Sequence, residues 1–166
     1  MPTLDEVLAL VSAAPVPVGL LIEVKAPAPG ARYEDLEELI LAALARSGLQ
    51  ARATVMAFDP RVLARVRELA PRARTTLLIE RAGLGWVGAR PEQLVDWAAA
   101  AGATDLGLDY TLVDEPLVAA AHAANLALGV WTVNDPEAIR RMLDLGVDII
   151  TSDRPDLAKR LQRGGS

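Results

Sequence analysis

Apolar residues along the chain come in short runs bounded by turn formers and separated by stretches of helical spacing. The runs are 18–25 (VGLLIEVK), 52–58 (RATVMAF), 75–80 (TTLLIE), 104–109 (TDLGLD), 127–133 (ALGVWTV) and 147–152 (VDIITS). Most are apolar on both alternating faces, which suits parallel strands covered by helices. The segments between them predict helices over 31–47, 60–70, 91–101, 114–124, 135–145 and 155–162, with another over 3–13 ahead of the first strand. Thr3 with Glu6 forms a capping-box pattern. Asp59-Pro60 and Asp135-Pro136 each place an N-cap before a proline at the first helical position, and Pro91 and Pro155 start helices in the same way. Gly48, Gly102 and Gly146 stand where helices end.

The pattern is thus one helix followed by six βα units. A (β/α)8 barrel needs eight strands and typically about 250 residues, so the chain falls two units short. An open doubly wound sheet tolerates six strands, but no glycine-rich phosphate loop follows the first one.

The first run breaks its own apolar pattern with Glu23 and Lys25, two residues apart and therefore on one face. A carboxylate at a strand's carboxyl end can bind a hard divalent cation, and a lysine beside it can hold a phosphate oxygen. A local ion pair, or a strand end in water, explains the same residues. Phe58, the only phenylalanine, fits core packing, and Asp59 fits an N-cap. Asp109 either faces a pocket or caps the next turn. Trp131 is either a core anchor or a pocket wall. Asn134 lies at a strand end, Asp153 is expected to cap the last helix, and Arg154 sits at its rim.

Composition narrows the chemistry further. The chain has 166 residues, 52% of them hydrophobic, as expected for a single soluble domain spanning 1–166. A net charge of −5 gives no electrostatic footprint for nucleic acid. The absence of cysteine removes disulfides, thiolate metal sites and a cysteine nucleophile. No apolar stretch approaches a membrane span. The amino terminus lacks a basic n-region and carries Asp5 and Glu6, so a cytoplasmic location is expected. The only histidine, His122, falls in mid-helix away from strand ends and is expected to serve packing or the surface. That leaves no histidine acid or base near the strand ends. Ser152 is the one serine placed to be a nucleophile, with nothing in sequence to activate it.

Taken in order, PTLDEVLALV, LLIEVK, MAFDPRVLARVRELAP and GVWTVNDPEAIRRMLDLGVDIITSDRP resemble the later three-quarters of the glycerophosphodiester phosphodiesterase family. The resemblance implies an α/β fold, a partial TIM (β/α)8-type barrel with six βα units present and the first two missing. It implies metal-dependent hydrolysis of glycerophosphodiesters to glycerol 3-phosphate and an alcohol, with Mg²⁺ or Ca²⁺ as cofactor. Matched position by position, Glu23 corresponds to a metal-binding glutamate and Lys25 to a phosphate-contacting lysine. Phe58 and Trp131 correspond to aromatic residues on the glycerol side of the pocket.

The departures carry equal weight. The family's His-Arg-Gly, Glu-x-Asp and His-Asp motifs precede the PTLDEVL segment and are absent here, and its acid and base are those two histidines. A serine common in the family before the phenylalanine is Ala57 here. The resemblance therefore implies a fragment, a gene model begun at an internal methionine, or a degenerate paralogue. The chain alone is expected to show little activity and weak or no cation binding. The alternative is a non-catalytic phosphate-binding or scaffold relative. Open edges on the first and last strands offer a surface for self-association, unless helix 3–13 covers one.

Overall fold

The structure, a computed structural model, describes residues 2–28, 30–80 and 90–164. Helix α1 (Leu4–Ser12) leads into β1 (Leu20–Glu23), α2 (Leu36–Ser47), β2 (Ala53–Ala57), α3 (Pro60–Leu69) and β3 (Arg74–Ile79). Then follow α4 (Pro91–Ala100), β4 (Asp105–Asp109), α5 (Glu115–Ala123), β5 (Ala127–Trp131), α6 (Pro136–Leu145), β6 (Ile149–Ile150) and α7 (Pro155–Gly164). Every expected strand and helix is present. The helix expected over 31–47 begins at residue 36, because Asp35 adopts a left-handed φ of 56° that no helix can pass through.

The strands lie in the order β1-β2-β3-β4-β5-β6. A doubly wound sheet reverses its strand order to place helices on both faces. This sequential order has no reversal and is that of a partial (β/α)8 barrel. The chain divides into two compact units, residues 1–76 and 77–166, with the boundary inside β3.

In the first unit β1 and β2 run parallel, with Ile22 beside Val55 and Glu23 beside Met56. Ala53, Val55 and Ala57 are buried, as are Val62, Leu63 and Val66 of α3 and Ile40, Ala43 and Leu44 of α2. The Thr3–Glu6 capping box forms as expected. Leu8 of α1 is buried, and Asp5 meets Arg46 of α2 at 3.1 Å. Gly48 ends α2 at φ +68°, a backbone state that glycine adopts without penalty.

Strand β1 is the end of the sheet. Its Val24 N–H donates to Met56 O at 2.8 Å, and Arg52 donates to Val18 O from the same side. Alternate residues of a parallel strand bond to opposite neighbours. The backbone groups of Leu21 and Glu23 therefore face the outer edge, beside which no strand among the described residues lies.

In the second unit β4 and β5 pair from Asp105↔Ala127 to Asp109↔Trp131, and β6 pairs on β5 through Gly129↔Ile149. Leu106, Leu108, Leu128 and Val130 are fully buried and in register on one face. Asp105, Gly107 and Asp109 share the other face with Ala127, Gly129 and Trp131. Asp135 caps α6 by accepting the Ala138 N–H at 2.8 Å.

Candidate functional site

At the carboxyl end of β1, Val24 is buried, so alternation sends Glu23 and Lys25 to the opposite face. The Lys25 ammonium lies 3.8 Å from Glu23 Oε1, and the lysine side chain is 79% exposed. A contact that long and wet contributes little to stability. It leaves the ammonium free to take a stronger anion. Met56 stands beside Glu23, and Phe58 lies two residues beyond on the same face, 39% exposed. Phe58 is thus not packed into the core, the simplest reading of the sequence; it stands at the rim. Ala57, where the family commonly has serine, is fully buried on the other face.

The corner after β2 is held by charge. The Asp59 carboxylate accepts the Arg61 N–H at 2.9 Å, so it is the N-cap that the sequence predicts. It also takes the Arg61 guanidinium through Nε at 3.0 Å and Nη2 at 2.6 Å. The hydrogen bonds from the guanidinium hold its carboxyl below the usual aspartate value, against the opposing effect of partial burial. Behind this corner, Arg65 bonds Glu38 of α2. Arg32 meets the buried Glu37 at 2.5 Å.

In the second unit Trp131 is the last residue of β5, half-buried, and in register with Asp109. The two readings left open for Asp109 are resolved by its bonds: it accepts the Thr111 N–H at 2.9 Å and the Thr111 hydroxyl at 2.7 Å, capping the short turn Tyr110–Leu112. Asn134 was seen in sequence only as a strand-end residue, yet it uses both halves of its amide. Nδ2 donates to Asp153 Oδ2 at 2.8 Å, while Oδ1 accepts the Asp153 N–H at 2.9 Å and the Ser152 hydroxyl at 3.0 Å. Asp153 accordingly pairs with Asn134, not with the helix start where a cap was expected. The Arg154 N–H goes to Ser152 Oγ at 3.0 Å. Ser152 thus gives its proton to an amide oxygen, a poor base, and serves as a structural bridge.

His122 lies in the last turn of α5, not in mid-helix as the spacing suggests, because the helix ends at Ala123, and it has a partner no spacing signals: Nε2 is 2.9 Å from Asp148 Oδ2. The partner lies 26 residues away on the approach to β6.

Among the described residues no group of three or more His, Cys, Asp or Glu side chains could hold a metal ion. Glu23 is one carboxylate, and a lysine ammonium shares it. Mg²⁺ and Ca²⁺ demand six or more oxygen ligands, so this donor set does not fit a tightly held cation. Among the described residues no helix is long and apolar enough to cross a membrane.

An ordered series of six βα units defines an α/β protein of the partial-barrel class. The Glycerophosphoryl diester phosphodiesterase family model matches residues 1–157, and the chain belongs to that family. A glycerophosphodiester phosphodiesterase of Bacillus subtilis is 27% identical over 171 residues, covering 99% of this chain and 55% of its own length. The crystal structure of a Silicibacter pomeroyi protein assigned as a glycerophosphoryl diester phosphodiesterase superposes with a TM-score of 0.87 at 30% identity, covering 99% of this chain and 57% of that one. An Oleispira antarctica phosphodiesterase, solved with the product sn-glycerol-3-phosphate, shares the fold at a TM-score of 0.71 and 21% identity, over 96% of this chain and 60% of that one. The chain thus spans little more than half the length of these relatives.

Proposed function

We propose that the chain supplies substrate-holding residues of a glycerophosphodiester phosphodiesterase and lacks the groups that move protons. The observation that carries this reading is the family match over residues 1–157 together with the exposed Lys25 ammonium at the tip of β1. In the hydrolysis, water adds to phosphorus and the bond to the alcohol oxygen breaks; a proton from the water ends on that oxygen, and glycerol 3-phosphate and the alcohol are released. Lys25 offsets the negative charge that builds on the phosphoryl oxygens. Phe58, on the same strand face as Glu23 and Lys25 in the first unit, offers apolar surface to the glycerol carbons, a role the resemblance also gives to Trp131. The divalent cation that the resemblance implies needs more carboxylates than Glu23, and no step is assigned to it here. The location proposed is cytoplasmic, and the ligand is a small glycerophosphodiester or phosphate, not nucleic acid.

The purified chain, given glycerophosphocholine with and without Mg²⁺ or Ca²⁺, is expected to release little or no glycerol 3-phosphate while still binding inorganic phosphate. Robust cation-dependent release would overturn the statement that the proton-moving groups are missing. A second reading, a non-catalytic phosphate binder, draws on the same donor set, an exposed cation without an acid–base pair. In-frame DNA upstream of Met1 encoding His-Arg-Gly and Glu-x-Asp would decide against it.

A further inference from the structure

Arg61 is a local anomaly. It is the second residue of α3, and a cation in a helix's first turn opposes the helix dipole. Residues that break a local rule are often doing something beyond their own element. Arg61 has two attachments. One is the Asp59 carboxylate, gripped through Nε and Nη2. The other is the carbonyl of Gly30, which accepts from Nη2 at 3.2 Å across 31 residues of chain.

Gly30 belongs to the loop that leaves β1 directly after Lys25. Beside it the Ala31 N–H donates to Ala28 O at 3.0 Å. Its φ of +77° is one a side chain resists. The guanidinium catches the Gly30 carbonyl. Asp59 sits immediately after Phe58, so the bridge runs from the Phe58 corner to the Lys25 loop.

From this we infer that Arg61 is a positioning residue: its fork latches the loop after Lys25 to the corner carrying Phe58, and so fixes the phosphate-binding lysine against the aromatic rim. The inference rests on the reading of Lys25 as the phosphate contact. A lysine in place of Arg61 keeps the charge but cannot grip a carboxylate and a carbonyl in one plane. Charge and geometry are therefore separable.

The test uses the full chain with R61M and R61K, each checked for folding by far-ultraviolet circular dichroism. Amide exchange at Ala31 reads the latch, and titration with inorganic phosphate reads the site. Both variants are expected to exchange about tenfold faster at Ala31 and to bind phosphate roughly five- to tenfold more weakly. Unchanged exchange at Ala31 in both variants overturns the latch. Faster exchange with unchanged phosphate affinity makes Arg61 a structural residue only and also overturns it. So does wild-type affinity in R61K, since charge alone would then suffice. If the wild-type chain binds no phosphate, the reading of Lys25 falls and with it the positioning role, while exchange at Ala31 still reports whether the loop is latched.

Discussion

One oxygen of Asp148 holds two elements at once: Oδ2 accepts the Leu128 N–H at 2.7 Å and meets His122 Nε2 at 2.9 Å. Burial works to raise the Asp148 pKa, but the Leu128 N–H and His122 outweigh it, and the carboxyl titrates below the ordinary aspartate value. A carboxylate depressed by folding adds stability above its unfolded pKa of 3.8, and that stability is lost as pH falls through the folded value. D148A is expected to lower stability at pH 7 by about 1–2 kcal/mol, because the Leu128 N–H loses its acceptor. It should also show less loss between pH 4 and pH 2 than the wild type. Urea unfolding across that range measures both.

Glu37 is 2% exposed and answered by Arg32. Removing one partner of such a pair strands the other charge. R32M is expected to cost about 2–4 kcal/mol, and the double variant R32M/E37L markedly less. Chemical denaturation of the three proteins at pH 7 checks the ordering; an R32M cost no larger than that of the double variant would refute it.

Glu23 and Lys25 allow a prediction of unusual sign. With a carboxylate 3.8 Å from the ammonium, the lysine's field toward an anion is partly cancelled. In this chain E23Q should strengthen binding of inorganic phosphate by about two- to threefold, and K25A should abolish it. In a complete, cation-using relative the same E23Q change should instead cut activity by orders of magnitude. Calorimetric titration gives the first result and a glycerol 3-phosphate assay the second.

Asn134 is tested by replacement with a carboxylate. N134D sets two carboxylates where Nδ2 now bonds Asp153 at 2.8 Å. It should destabilise the chain more at pH 7 than at pH 4, since two close carboxylates come to share a proton. N134A should speed amide exchange at Asp153 about tenfold. Equal stability of N134D at the two pH values would exclude the repulsion.

The outer edge of β1 carries Leu21, 45% exposed, with its backbone groups directed outward. Helix α1 packs on α2, leaving Leu10 74% exposed. Such an edge invites a second strand. Self-association through this edge is the outcome the exposed strand predicts, and L21K should suppress it. Light scattering at rising concentration decides: a strict monomer of the wild-type chain rules this out.

Much of this fold was legible in the sequence because it is built from local signals. The capping box at Thr3, the Asp-Pro starts at 59 and 135, and the glycines at 48 and 146 report on neighbours a few residues away, and all of them act as read. Glu23, Lys25 and Phe58 share a face because alternation along a strand is equally local. What was hidden depends on partners distant in sequence. His122 gives no hint of Asp148, nor Asn134 of Asp153, nor Arg61 of Gly30, because each pairing is set by the packing of successive βα units. The choice at Asp109 turned on which of two nearby groups its carboxylate reached first, and Thr111 was closer than any spacing rule could tell.

The sequential strand order has a kinetic side. Each strand pairs with the one next made, so no pairing waits for a distant part of the chain. Each parallel pairing must still close a loop holding a whole helix, Ile22 to Val55 for example, which makes it slower than a hairpin. Residues 1–76 hold their own strand pair and helices, made ahead of residues 77–166. Folding can therefore proceed from the ribosome outward, one βα unit at a time.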